Sequence, residues 1–138
     1  MPFIEVRNIS LYYEIQGEGP RLLYISGTGG DLRVRPNVFD TLLIKHFTVL
    51  AYDQRGLGQT DKPDKPYTMA DYAADAEGLL DALGWNSAYV MGVSFGGMVA
   101  QEMAVTYPRR IQKLVLACTS SGGAGGASYP LHLSLIHI

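Results

Sequence analysis

The sequence predicts an α/β fold in which an N-terminal β-hairpin leads into a mostly parallel sheet with helices on both faces. Two observations carry this prediction. Short apolar runs, typical of strands buried on both faces, alternate with segments whose apolar residues recur at helical spacing. After the hairpin the order is β-α-β-α-β-α-β, and such alternation is typical of a parallel sheet covered by its crossover helices.

The strands are predicted from two kinds of pattern. Residues 3–8 and 11–16 alternate apolar and polar side chains, which predicts the hairpin, with its turn at residues 8–10. Four nearly continuous apolar runs predict the buried strands that follow, at residues 22–25, 47–52, 88–91 and 113–118.

Three helices are expected between these strands. Apolar residues at i, i+4 predict the first over residues 36–45. The start of the second is predicted at Thr68, because Thr68 and Asp71 have the spacing of a capping box. Its end is predicted just before Gly84, since a glycine commonly follows the last residue of a helix. The third covers residues 95–107.

Composition limits the class of protein. The 138 residues suffice for one domain, and 47% hydrophobic with 17% charged residues indicates a globular chain. The net charge of −2 gives no basis for a nucleic-acid or membrane partner, and no apolar run is long enough to span a bilayer. A single cysteine, Cys118, excludes an intrachain disulfide, and no signal peptide is recognisable, so a cytoplasmic protein is expected. The oligomeric state is not indicated.

One motif points to chemistry. Residues 92–96 read Gly-Val-Ser-Phe-Gly, a G-x-S-x-G pattern between a predicted buried strand and a predicted helix. This context predicts a nucleophile elbow, in which a strained turn lifts the Ser94 hydroxyl above the sheet at the positive end of the helix. Gly92 and Gly96 are then required because a Cβ at either position would clash. A plain glycine–serine turn is the alternative.

Three segments together resemble a known family. They are residues 26–30 (Ser-Gly-Thr-Gly-Gly), 53–60 (Asp-Gln-Arg-Gly-Leu-Gly-Gln-Thr) and 92–98 (Gly-Val-Ser-Phe-Gly-Gly-Met). From about residue 3 to 118 the chain is similar to the N-terminal part of an α/β-hydrolase. Small esterases, enol-lactonases and C–C bond hydrolases are the nearest group, so the resemblance implies a truncated α/β-hydrolase fold.

The resemblance also implies roles for individual residues. Ser94 corresponds to the nucleophile of a Ser…Asp/Glu…His triad, and the backbone N–H groups of Phe95 and Thr28 correspond to the oxyanion hole. A nucleophilic Asp, found in dehalogenase-like relatives, is excluded by Ser94. The family's usual His-Gly is replaced by Ser26-Gly27, a position that is usually structural. The chemistry implied needs no cofactor and no metal.

Asp53 and Arg55 resemble the family's Asp-x-Arg-Gly-x-Gly loop, and we expect them to organise that loop instead of taking part in chemistry. Residues 27–30 after a strand also resemble a dinucleotide-binding fingerprint, with Asp53 as a ribose ligand. Leu32 stands where the third glycine of that fingerprint is needed, which disfavours this alternative.

The sequence offers no general base near Ser94. His46 precedes a strand that runs toward Asp53, so it is expected at the opposite edge of the sheet, ~17–20 Å away. His132 and His137 follow the last predicted strand, and Glu102 is the only acidic residue after Ser94. We therefore expect the triad acid and base to lie outside the chain, the 138 residues to be inactive alone, and the last strand to form an exposed apolar edge.

The chain divides into three parts on this interpretation. Residues 1–118 form the N-terminal part of a single α/β-hydrolase domain, and residues 119–132 are a Gly/Ser-rich segment leading toward a missing cap. Residues 133–138 (Leu-Ser-Leu-Ile-His-Ile) are similar to the translation of a sequencing-library adaptor, so a non-native tail is expected there.

The function expected of the full-length parent is that of a serine hydrolase acting on a small carboxylic ester or lactone through an acyl-enzyme. A C–C bond hydrolase or an aminopeptidase on the same scaffold is an alternative. An alternative of another class is a non-catalytic ligand-binding module. The expected partner is a small-molecule substrate, with no nucleic acid and no membrane.

Overall fold

The computed structural model describes residues 2–122, which form one six-stranded sheet of order β1-β2-β4-β3-β5-β6. The first two strands pair with each other and with β4 in antiparallel fashion, whereas β4, β3, β5 and β6 run parallel. The predicted hairpin and mostly parallel sheet are therefore confirmed. In chain order the strands are β1 (Phe3–Val6), β2 (Ile9–Gln16), β3 (Arg21–Ile25), β4 (Thr48–Tyr52), β5 (Ala88–Val93) and β6 (Ile111–Ala117).

Helices cover both faces of this sheet, also as predicted. The α-helices are α1 (Leu43–His46), α2 (Met69–Ala82) and α3 (Phe95–Thr106), with short 3₁₀ turns at Val38–Asp40 and Pro108–Arg110. Helices α2 and α3 pack against one face over a core that includes Leu23, Leu50, Leu79, Val90 and Met103. The first 3₁₀ turn and α1 pack against the other face, over Leu22, Val49 and Ala51.

Helix α2 has the ends that the sequence predicts. The Thr68 hydroxyl accepts a hydrogen bond from the Asp71 N–H at 3.1 Å, and the Asp71 carboxylate accepts one from the Thr68 N–H at 2.9 Å. This reciprocal pair is a capping box with Asp in place of the usual Glu. Gly84, just past the helix, has φ +71°, the left-handed conformation expected of a glycine at that position.

The predicted helix over residues 36–45 is wrong. The chain instead forms the 3₁₀ turn Val38–Asp40 and the separate short helix α1. Thr41 between them is extended, and its hydroxyl donates to the carbonyl of Val38 at 2.6 Å and accepts from the N–H of Leu43 at 3.3 Å. A threonine that bonds to its neighbours' backbone in this way competes with the helical ladder and interrupts it.

The hairpin turn also differs from the prediction. Arg7 and Asn8 have φ of +50° and +66°, and Ile9 already pairs with Val6. Positive φ at both central residues is the type I′ geometry, which matches the twist of a tight hairpin. The turn is therefore residues 7–8. The bounds of β3, β4, β5, β6 and α3 differ from the predicted ones by one or two residues.

Residues 2–122 contain no helix with both the length and the apolar character that a bilayer span requires. The expected tail at 133–138 and most of the expected Gly/Ser-rich segment at 119–132 lie outside the described residues. The proposed division of the chain stays a prediction.

Candidate active site

Ser94 occupies an unusual backbone conformation between β5 and α3. Its φ of +54° and ψ of −120° are rare for a residue with a side chain. Three hydrogen bonds hold it there: its N–H donates to the carbonyl of Ala117 at 2.9 Å, and its carbonyl accepts from the Gly97 N–H at 2.9 Å and from the Thr119 hydroxyl at 2.7 Å. A strained conformation persists where its surroundings determine it this fully, and such residues cluster at functional sites.

The two glycines of the motif have no room for a side chain. A Cβ added at Gly92 would lie 2.4 Å from the carbonyl oxygen of Gly96. One added at Gly96 would lie 2.0 Å from the carbonyl oxygen of Ile25 and 2.4 Å from that of Ser26. These obstacles are backbone atoms, so the strand end, the turn and the start of α3 can pack this closely only with glycine at both positions.

The loop after β3 lies directly against Ser94. A Cβ added at Gly27 would be 3.3 Å from the Ser94 Cβ and 3.9 Å from its Oγ. The Gly30 N–H donates to the Gly27 carbonyl at 3.2 Å and closes a turn in which Gly29 has φ +73°. Thr28 is exposed within this turn. The structure thus brings the segment that contains Thr28 beside Ser94.

Two backbone N–H groups on the segments beside Ser94 have no acceptor among the described residues. Phe95 is the first residue of α3, so its N–H has no acceptor within the helix. Among the hydrogen bonds found in residues 2–122, none has the N–H of Phe95 or of Thr28 as its donor. The Phe95 ring packs edge-on against Tyr72 at 5.1 Å between centroids, which anchors the start of α3 to α2.

Two residues that contact this region are not predicted as site residues by any sequence motif. Gln54, wholly buried, donates from Nε2 to the carbonyl of Ser26 at 2.8 Å. Thr119 bonds to the Ser94 carbonyl, as described above. Both follow the carboxyl end of a parallel strand by two residues, and the carboxyl edge of a parallel sheet is where sites assemble. Their position just after a parallel strand is the feature of the sequence that could have identified them.

Asp53 organises the loops at this edge, as expected. Its carboxylate accepts from the Leu32 N–H at 2.8 Å and from the Gln59 N–H at 2.9 Å, and its carbonyl accepts from the Thr60 hydroxyl at 2.6 Å. Burial raises the pKa of Asp53, and the two N–H donors oppose that rise. The carboxylate ties the loop after β3 to the loop after β4.

Arg55 is likewise structural. It forms a bidentate ion pair with Asp75 of α2, at 2.8 and 2.9 Å, with only 3% of the arginine side chain and 1% of the aspartate side chain exposed. Its guanidinium also lies 5.7 Å from the centre of the Tyr67 ring. The hydrogen bonds to Asp75 raise the pKa of Arg55. The pair fixes the loop after β4 to helix α2.

A pocket of about 220 Å³ opens beside the turn that contains Thr28. Its polar lining includes Tyr24, Ser26, Asp31, Asn37 and Asp53. The Arg33 side chain bonds to Asp31 and lowers the pKa of that carboxyl to about 2, so Asp31 is ionised at neutral pH. Within the described part of the chain, no group of three or more His, Cys, Asp or Glu side chains is arranged to hold a metal ion.

The other candidate acids and bases lie away from Ser94. His46 ends α1, and its carbonyl oxygen adjoins Gly19, which precedes β3, so it lies at the amino edge of the parallel strands while Ser94 lies at the carboxyl edge. Glu102, on α3, borders a separate groove with Met69 and Met98. His132 and His137 lie outside the described residues.

Comparison with known proteins extends these observations. A family model described as the alpha/beta hydrolase fold matches residues 20–133. A 2-(acetamidomethylene)succinate hydrolase from Mesorhizobium japonicum is 33% identical over 115 residues, which cover 81% of this chain and 40% of the relative. The chain spans about two fifths of the length of the curated relatives that it matches.

Solved structures of hydrolases also resemble this chain. An enol-lactonase from Burkholderia xenovorans LB400 has a TM-score of 0.79 at 34% identity, over 87% of this chain and 47% of that one. A meta-cleavage product hydrolase from Pseudomonas fluorescens IP01 has a TM-score of 0.78 at 30% identity, over 86% of this chain and 44% of that one. Because the family model matches most of the residues and the sheet superposes on these enzymes, the chain belongs to the α/β-hydrolase fold family.

Proposed function

We propose that this chain is the N-terminal part of a serine hydrolase that cleaves a small carboxylic ester or lactone. The observation that carries the proposal is the strained turn at Ser94, beside two segments whose N–H groups at Phe95 and Thr28 have no acceptor within residues 2–122. A strained serine at a strand–helix junction together with two free donors is the arrangement that acyl transfer requires.

The proposed reaction proceeds in two steps. The Ser94 Oγ attacks the substrate carbonyl carbon while a general base takes its proton. The N–H groups of Phe95 and Thr28 donate to the oxyanion, and the alcohol or enol leaves with a proton as the acyl-enzyme forms. Water then attacks the acyl carbon, Ser94 is released, and a carboxylic acid is the product. No cofactor and no metal is needed for either step.

In this proposal the general base and the acid that orients it come from outside the 138 residues, because Glu102 is the only acidic residue after Ser94 and so His132 and His137 lack the usual acid partner. A serine hydroxyl is a weak nucleophile without a base. His46 lies at the far edge of the sheet, and Glu102 borders a different groove. The 138 residues alone are therefore expected to turn over substrate negligibly.

The substrate class rests on similarity and is proposed on that ground. The neighbouring structures include an enol-lactonase, whose name implies attack on a cyclic ester. A second candidate reaction, cleavage of a C–C bond next to a carbonyl, is favoured by the similarity to a meta-cleavage product hydrolase. Both reactions place a carbonyl oxygen in the same oxyanion site, so the site formed by residues 2–122 is compatible with either reaction.

The test compares the longer parent protein, its Ser94→Ala variant and the 138-residue chain with p-nitrophenyl acetate. The parent is expected to hydrolyse the ester, and Ser94→Ala is expected to lower kcat by about 10⁴-fold or more because the nucleophile is lost. Ser87→Ala is the matched control, since Ser87 precedes β5 and its hydroxyl accepts from Gln112 at the opposite edge of the sheet. This control is expected to keep the parent's rate.

Labelling with a fluorophosphonate gives an independent readout. The parent is expected to gain the phosphonyl mass on the peptide that contains Ser94, and the Ser94→Ala variant is not. A parent protein that folds but neither turns over esters nor takes the label would contradict the proposal and favour the ligand-binding module. Esters, lactones and vinylogous diketones assayed side by side then separate ester from C–C chemistry.

A further inference from the structure

We propose that Gln54 is a positioning residue for the oxyanion site, acting through the carbonyl of Ser26. The inference rests on the proposed function, because it concerns the loop that contains the Thr28 N–H. No hydrogen bond between Gln54 and Ser94 is found among residues 2–122. Gln54 acts on the segment that joins β3 to the turn beside Ser94.

The Ser26 carbonyl is held from two sides. The Gln54 Nε2 donates to its oxygen at 2.8 Å, and the backbone of Gly96 approaches it so closely that an added Cβ would lie 2.4 Å away. The next residue, Gly27, packs against Ser94. The Gln54 amide therefore fixes the orientation of the peptide that precedes the turn with Thr28 and that lies against the start of α3.

Gln54 is a costly residue to keep in this position. Its side chain is wholly buried, and its Oε1 has no hydrogen-bond partner among residues 2–122. A buried polar atom without a partner destabilises a fold. The amide orientation cannot be reversed to relieve this, because the Ser26 carbonyl requires a donor. The bond to Ser26 is thus the one hydrogen bond found for this side chain among residues 2–122.

The neighbouring residue holds the other end of the same segment. The Asp53 carboxylate accepts from the Leu32 N–H at 2.8 Å, four residues beyond Thr28. Gln54 and Asp53 thus fix the segment before and after the turn Gly27–Gly30 from one point at the end of β4. A backbone N–H aimed at a developing charge is useful only when it is held within a fraction of an ångström, and two fixed ends supply that restraint.

Substitution of Gln54 by methionine removes the donor and keeps the size of the side chain. In the longer parent protein, Gln54→Met is expected to lower kcat for p-nitrophenyl acetate by about 10- to 100-fold, with KM changed by less than about threefold. The inhibition constant of a trifluoromethyl ketone, which forms a tetrahedral adduct, is expected to rise in parallel. A residue that only supports the core would not change that inhibition constant selectively.

Tyr52→Phe is the matched control. Tyr52 ends β4, two residues before Gln54, is buried, and carries a hydroxyl without a partner among the described residues. Removal of that hydroxyl is expected to leave kcat within about twofold of the parent. Equal losses of kcat in Gln54→Met and Tyr52→Phe would overturn the inference, as would a Gln54→Met protein of unchanged kcat.

Gln54→Glu keeps the test decisive if the methionine variant fails to fold. A carboxyl at this position can donate to the Ser26 carbonyl only while it is protonated. The ratio of its kcat to that of the parent is therefore expected to fall as pH rises, and a ratio independent of pH would contradict the positioning role. Ser94→Ala separates the two proposals, because activity that survives it refutes the proposed function whatever Gln54 does.

Discussion

At the scale of single residues, the buried pair Arg55–Asp75 predicts a large effect on stability. Only 1% of the Asp75 side chain and 3% of the Arg55 side chain are exposed, so loss of the Asp75 charge leaves the Arg55 guanidinium buried without an ionised partner. It also removes the ion pair between Asp75 and Arg7 at 3.0 Å. Asp75→Asn is expected to lower the free energy of unfolding by about 3–5 kcal/mol, measured by urea denaturation of the parent protein.

Asp81→Asn is the control for this prediction. Asp81 is also an aspartate of α2 bonded to an arginine, Arg110 at 2.9 Å, but 72% of its side chain is exposed. Exposed ion pairs contribute about 0–1 kcal/mol, so this variant is expected to unfold close to the parent. Similar losses in the two variants would show that the prediction from burial is wrong.

Residues also show where sequence reasoning reaches its limit. The positions of Ser94, Gly92 and Gly96 follow from a local pattern, because a tight strand–helix turn needs those residue types at that spacing. Arg55 could be interpreted as structural, but its partner Asp75 lies 20 residues away and carries no local signal. The bond from Gln54 to Ser26 joins two loops 28 residues apart, and only the folded sheet brings them together.

At the scale of elements, the same distinction separates α2 from the predicted helix over 36–45. Helix α2 is defined locally by its capping box and its terminal glycine, so its sequence suffices to predict both ends. The segment 36–45 has the right apolar spacing, but the Thr41 hydroxyl offers its backbone a competing set of bonds. Periodicity records which side chains are apolar, not whether the backbone ladder is continuous.

The cap of α2 predicts a dependence of stability on pH. The backbone N–H of Thr68, the Arg7 guanidinium and the Thr68 hydroxyl together lower the pKa of Asp71 from 3.8 to about 2. Because the folded pKa is below the ordinary one, the stabilisation is complete above about pH 4 and is lost as pH falls toward 2. Asp71→Asn is therefore expected to be less stable than the parent near neutral pH.

This difference in stability is expected to narrow between pH 4 and 2, which denaturation at a series of pH values measures. Asp64→Asn is the control, since Asp64 is exposed in the loop after β4 and no hydrogen bond to its side chain is found within residues 2–122. The free energy of unfolding of Asp64→Asn is expected to stay close to that of the parent at each pH. If the difference in free energy of unfolding between Asp71→Asn and the parent were constant from pH 7 to 2, the stabilising role of the ionised Asp71 carboxylate would be refuted.

At the scale of the whole molecule, the two edges of the sheet differ. Strand β1 is a short strand at one edge, whereas β6 at the other presents Leu114, Val115 and Leu116 with 37%, 51% and 42% of each residue exposed. No strand among the described residues pairs with the outer side of β6. The exposed apolar edge expected from the sequence is thus present, and an unpaired edge of this kind is a template for association with another chain.

We expect the 138-residue chain to self-associate through β6 at micromolar concentration. A charge on an edge strand opposes such pairing, so Val115→Lys is expected to lower the mean mass measured by light scattering. Val105→Lys is the matched control, because Val105 is 82% exposed but lies on helix α3 and not on an edge strand, so it offers no backbone groups for strand pairing. If both lysines reduce association equally, net charge is the cause, and β6 is not the surface through which the chain associates.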